Sequence, residues 1–255
     1  MYRPTFKTKR NGVPILSKNE LEIIAENVLR EFCPDALINP QAIDVEGFIE
    51  MYLRLKVDYQ YLSNDGRYLG MMVFNDTDRV IIFDPEKRQA DYMHADARTV
   101  LIDNSLLEEN QEHRYRYTMA HEGGHDILHG AYYAYNPNQI SIFEVEDALP
   151  MVQCRINSFS VSGSKAWTDE DWMEWQANYF SAAFLMPASM VRKAIANVKV
   201  KQPMLKEMAM VQKVSKTFNV SPEAAKYRLE ELKCIGAGKL GDVGFLNSGI
   251  VFLST

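Results

Sequence analysis

Apolar positions recur at helical spacing near the start of the chain. In SKNELEIIAENVLREF, Leu21, Ile24, Ala25 and Leu29 fall on one face, and Ser17 with Glu20 has capping-box spacing. The stretch AIDVEGFIEMYLRL predicts a second helix. The pattern then changes to short runs of strand character: KVDYQYL, GMMVF, RVIIFD and RTVLID. Turn signals separate them, among them Asn64-Asp65-Gly66 and Asn75-Asp76. One small sheet, mixed or antiparallel, is therefore expected after two helices.

Helical spacing returns from about Arg114, with one helix over Tyr115 to His129 and Gly130 as its left-handed stop. The next stretch, about 131–167, has no clear period and reads as a long insert. An active-site cover, a partner-binding element and a plain surface insertion all fit it. TDEDWMEWQANYFSAAFLMP then predicts a helix with Thr168 as N-cap, three acids in its first turn and a stop at Pro187. Short helices fill the last third: Ser221-Pro222 is an N-cap and N1 pair, and Gly236 follows PEAAKYRLEELKCI. A final GFLNSGIVFL reads as a hairpin or strand pair. The expected fold class is α+β, a small mixed or antiparallel sheet with helices and a helical C-terminal region. The expected division is a domain over 1–187 and a helical region over 188–255 packing on it.

Composition narrows the function. A chain of 255 residues is long enough to bury a sizeable core. A formal net charge of −6 gives no general electrostatic reason to bind nucleic acid. No run approaches the roughly 18 apolar residues of a membrane span, and the N-terminal stretch lacks the apolar run of a signal peptide. Cys33, Cys154 and Cys234 are scattered, with no CxxC pattern, and read as reduced thiols of a cytoplasmic protein.

The chemistry concentrates in TMAHEGGHDILHG, Thr118 to Gly130. Each helical residue turns the chain by about 100°, so His125 lies about 40° from His121 and both imidazoles point one way. Two such histidines can share a zinc ion, and Glu122, on the flank of that face, can reach the water beside it as general base. The rival reading is an amphipathic helix with incidental histidines; five histidines produce this spacing by chance in roughly one such chain in a hundred. A catalytic zinc site needs a third protein ligand. Glu174 is the best candidate, because its helix is apolar nearly all round and a buried carboxylate needs a strong partner. Asn178, four residues on, is placed to hydrogen-bond a ligand histidine. Glu170 and Asp171 are better explained by the helix dipole. For a donor to the developing oxyanion, Tyr132, Tyr133, Tyr179 and His129 all remain open. His129 continues the stripe and reads more as a packing or capping residue than as a ligand.

RYRYTMAHEGGHDILH, EWQANYFSAAFLMP and FNVSPEAAKYRLEEL, in that order, resemble the ImmA/IrrE family of metallopeptidases. The family phrases are of the type FTxAHELGHxxLH, ExxANxFAAxLLMP and FxVSxxAAxxRLxxL. With the helix and strands before them, the resemblance spans roughly residues 17 to 235. It implies a zincin-like peptidase domain, one Zn2+ on His121, His125 and Glu174, and Glu122 as general base. It also implies an intracellular endopeptidase that cleaves a helix-turn-helix repressor and so relieves repression, in a mobile element or a stress response. Two features depart from the family: Gly123 stands where a bulky apolar residue is usual, and the insert is longer.

The glycines separate on the helical wheel. Gly124 flanks the metal face, where a missing Cβ lets backbone or ligand approach closely. Gly123 lies on the back and costs about 1 kcal/mol of helix propensity. Something must fill its place, and an aromatic of the long insert is the expected filler. Two other functions compete. LKEMAMVQKVSKTFNVSPEAAKYRLEELK has the outline of a helix-turn-helix, although its small positive excess makes direct nucleic-acid binding the weaker reading. A protein that sequesters a repressor without cutting it is the other.

Overall fold

The computed structural model describes residues 1–133, the backbone of 151–155, and 167–236. Helix α1, Lys18–Phe32, begins with the expected capping box: Ser17 Oγ accepts from the Glu20 N–H at 3.3 Å, and the Glu20 carboxylate accepts from the Ser17 N–H at 2.8 Å. It buries Leu21, Ile24, Ala25, Val28 and Leu29. The second predicted helix is shorter than its pattern and forms a π-helical turn, Gly47–Tyr52. That turn holds Phe48 and Ile49 fully buried.

The strands are β1 (Lys56–Gln60), β2 (Tyr68–Val73), β3 (Thr77–Asp84), β4 (Gln89–Ala95), β5 (Thr99–Asp103) and β6 (Met151–Arg155). Four of them form a mixed sheet in the order β1-β5-β2-β6, parallel between β1 and β5 and antiparallel elsewhere. The single expected sheet is in fact divided. RVIIFD belongs to β3, which leaves the main sheet and pairs with β4 as a separate antiparallel hairpin. β4, QADYMHA, carries too many polar residues to read as a strand alone; its cross-strand partners on β3 supply the pairing. β6 lies inside the stretch expected to be irregular, and it pairs along the free side of β2.

Helix α2, Glu112–Leu128, lies between β2 and α4. It stops at His129 without a left-handed glycine, and Gly130 instead opens the next helical turn, α3, Gly130–Tyr133. Helix α4, Asp169–Leu185, is capped by Thr168, whose side chain accepts from the Asp171 N–H. The Asp171 carboxylate accepts in return from the Thr168 N–H at 2.7 Å, which accounts for this acid within the helix start. Helices α5 (Ala188–Ile195), α6 (Pro203–Phe218) and α7 (Pro222–Glu231) follow, with Asn219 left-handed at the end of α6. They pack on the rest. Arg116 of α2 donates to the carbonyls of Asn219 and Ile43 at 3.0 and 2.8 Å. The fully buried Arg228 of α7 meets both oxygens of Glu22 on α1 at 2.7 and 2.9 Å and donates to the Met186 carbonyl at 3.0 Å. One apolar cluster runs from Val13 to Ile235, and a smaller one lies under the β3–β4 hairpin. The GFLNSGIVFL stretch and most of the insert lie outside the described residues.

Candidate metal centre

Three glycines set how closely the surrounding elements approach α2. A Cβ on Gly124 would stand 2.9 Å from the Phe180 ring and 3.5 Å from the Ala177 carbonyl, so this position lets α4 lie against α2. A Cβ on Gly123 would meet the Phe48 ring at 2.4 Å. The aromatic that fills the back of the helix therefore comes from the π-helical turn and not from the insert. Phe48 is held there by Phe184, with ring centroids 4.2 Å apart. On the sheet side, a Cβ on Gly70 of β2 would stand 2.5 Å from Glu122 Oε1 and 2.6 Å from Thr118 Cγ2. Glycine inside a strand usually weakens it, and here it makes room for the carboxylate.

The close approach of α4 brings three side chains to one point. His121 Nε2 and His125 Nε2 are 2.9 Å apart, and Glu174 places Oε2 3.4 Å from the first and Oε1 3.3 Å from the second. One ligand atom from each of the three lies within 4.8 Å of the others, and all three residues are buried. Among the described residues this is the one such cluster. Neither Glu174 oxygen has a hydrogen-bond donor in good geometry. Lone pairs of two imidazoles and a carboxylate converging out of water repel one another unless a cation lies between them. The donor set thus fits a metal ion.

Electrostatics separate the two carboxylates. Burial pushes Glu174 up, but His121 and His125 beside it outweigh that and hold it well below the usual carboxylate range. Glu122 is fully buried and pushed up to about 8, chiefly by burial, with His121 opposing the shift and Glu174 adding to it. Burial lowers His125 below the ordinary imidazole value and lowers His129 well below it, which favours the neutral rings that metal coordination requires.

Residues 162–230 match the Peptidase_M78 family model, the IrrE N-terminal-like domain. The match supports an ImmA/IrrE-family metallopeptidase. It takes in Glu174, Asn178 and α4 to α7, and it stops short of the histidine helix, which the fold brings to Glu174 independently. No curated protein matches the chain. No helix among the described residues is long and apolar enough to cross a membrane.

The other residues singled out from the sequence fall in different places. Asn178 Oδ1 lies 3.1 Å from His121 Nδ1, and the Tyr117 hydroxyl donates to the same oxygen. Tyr179 turns away from the centre: its hydroxyl donates to Glu22 at 3.0 Å, on the α1 side. Tyr132 stands over the start of α4, where Glu170 and Asp169 face it. Tyr133 is buried, stacked on Phe74, and its hydroxyl is held high by burial first and then by Glu174. Both ring nitrogens of His129 are engaged behind the centre, one with His125 and one with Gln176.

Sequence reasoning missed Gly70, Gln176 and Asp126. Asp126, next to His125, is buried between Arg98 at 2.8 Å and Arg3 at 3.2 Å. Only the HD pair in HEGGHD could have drawn attention to it.

Proposed function

We propose that the chain is a zinc-dependent endopeptidase in which His121, His125 and Glu174 hold the ion and Glu122 is the general base. The observation that carries this reading is the buried convergence of two imidazoles and one carboxylate beside a second carboxylate on the same helix. When bound, zinc supplies Lewis-acid polarisation of a peptide carbonyl and acidifies water at the site. Glu122 accepts the proton of the attacking water at its carboxylate and returns it to the leaving amine. Asn178 fixes the ring of His121, and Gly70 keeps the Glu122 carboxylate free of a side chain in front of it. Of the four candidate oxyanion donors, Tyr179 is engaged by Glu22 and His129 by His125 and Gln176, which leaves Tyr132 and Tyr133.

The proposed substrate is a helix-turn-helix repressor, whose cleavage relieves repression in a mobile element or a stress response inside the cell. Support for the substrate is the family likeness alone. The C-terminal helices are read as packing elements and not as a DNA-binding unit. Arg228, on the helix that would enter the groove, is turned inward to Glu22.

The test is incubation of the zinc-loaded full chain with a repressor encoded beside its gene, with and without a chelator. Cleavage should be lost with the chelator. Glu122→Gln should bind zinc as the native chain does and lose cleavage by at least about a hundredfold. Cleavage at the native rate by this variant would refute the general-base role, and tight association without cutting would favour sequestration.

A further inference from the structure

Behind the candidate metal centre, a run of polar side chains continues inward. His125 Nδ1 lies 2.8 Å from His129 Nδ1, His129 Nε2 lies 3.0 Å from Gln176 Oε1, and Gln176 Nε2 donates to the Pro14 carbonyl at 2.9 Å. His125 and His129 are fully buried and Gln176 nearly so. Each group therefore depends on its neighbour in place of water.

A peptide carbonyl can only accept, so Pro14 fixes which end of the Gln176 amide faces it. The amide oxygen then faces His129 and accepts from a proton on Nε2. A neutral imidazole protonated on Nε2 has its lone pair on Nδ1, so His129 Nδ1 accepts from His125 Nδ1–H. The proton of His125 is thereby held on Nδ1, and its Nε2 lone pair points at Glu174 and His121. With either ring reversed, two N–H groups or two lone pairs would face each other at 2.8 Å.

We propose that His129 and Gln176 are positioning residues that hold His125 in its metal-binding tautomer, with the direction of the whole chain set by the Pro14 carbonyl. The inference rests on the metal reading of the site. It gives His129, at the end of α2, and a glutamine of α4 a role that the spacing of the ligands does not require. It also joins the N-terminal segment, through Pro14, to the centre of the molecule.

Two measurements on the full-length protein test it. Long-range 1H–15N spectra of the imidazole rings in the metal-free chain should show His129 protonated on Nε2 and His125 on Nδ1. A proton on Nδ1 of His129 would overturn the proposal. Competition with a chromophoric chelator should then show zinc bound about 10- to 100-fold more weakly by His129→Phe and by Gln176→Leu. Native affinity in His129→Phe would also overturn it. If the native chain itself binds no zinc, the metal reading fails, while the ring spectra still decide the direction of the hydrogen bonds. Those spectra need no variant to fold.

Discussion

Around α2, absent Cβ atoms matter as much as the side chains present. Gly70 keeps β2 clear of Glu122, so Gly70→Ala should push the carboxylate aside while leaving the three ligand residues in place. The expected result is near-native zinc affinity with cleavage reduced about a hundredfold, the scale on which displacement of a catalytic group by about 1 Å acts. Measuring affinity and turnover on one preparation checks it; a parallel loss of both would place the damage elsewhere. Gly123→Ala has the opposite emphasis. It gains about 1 kcal/mol of helix propensity but drives a methyl into the Phe48 ring, which Phe184 backs. A net destabilisation of about 1–2 kcal/mol is expected from urea midpoints, and Phe48→Leu in the same chain should recover part of it.

Among the elements, α2 is fixed at its inner end by Asp126, which joins Arg98 beside β5 to Arg3 of the N-terminal segment. Asp126→Asn keeps the shape and removes the charge. It should cost about 1–2 kcal/mol, because both arginines are partly exposed and can turn to water. A shift smaller than a few tenths would show that the ion pairs are incidental. Much at this scale was legible in the sequence. Ser17 with Glu20 and Thr168 with the following acids announced two helix starts, and the spacing of His121 and His125, with Glu174 on an apolar helix, pointed to the cluster that the fold brings together. Their signals are local, a cap or a spacing of four. The division of the strands was not legible, since whether RVIIFD joins GMMVF or QADYMHA depends on contacts between distant residues. Gln176 was hidden for a related reason: a glutamine becomes informative only when the carbonyl and the imidazole on either side of it are known. The insert, read as irregular, conceals a strand whose partner lies some eighty residues earlier.

For the molecule as a whole, the decisive contact is Arg228 with Glu22, an ion pair that ties the last described helix to the first. Burial alone would disfavour the charge on Arg228, and Glu22 more than offsets it. Arg228→Ala leaves Glu22 and the Met186 carbonyl facing a void, and a loss of about 3–5 kcal/mol is expected in denaturant unfolding. A ribosome releases Glu22 more than two hundred residues before Arg228. Until α7 emerges, that glutamate has no buried cation to meet. A shortened expression product ending at the boundary after Pro187 would leave Glu22 without that guanidinium permanently. Synthesis of this protein brings Glu22 its partner only at the last described helix.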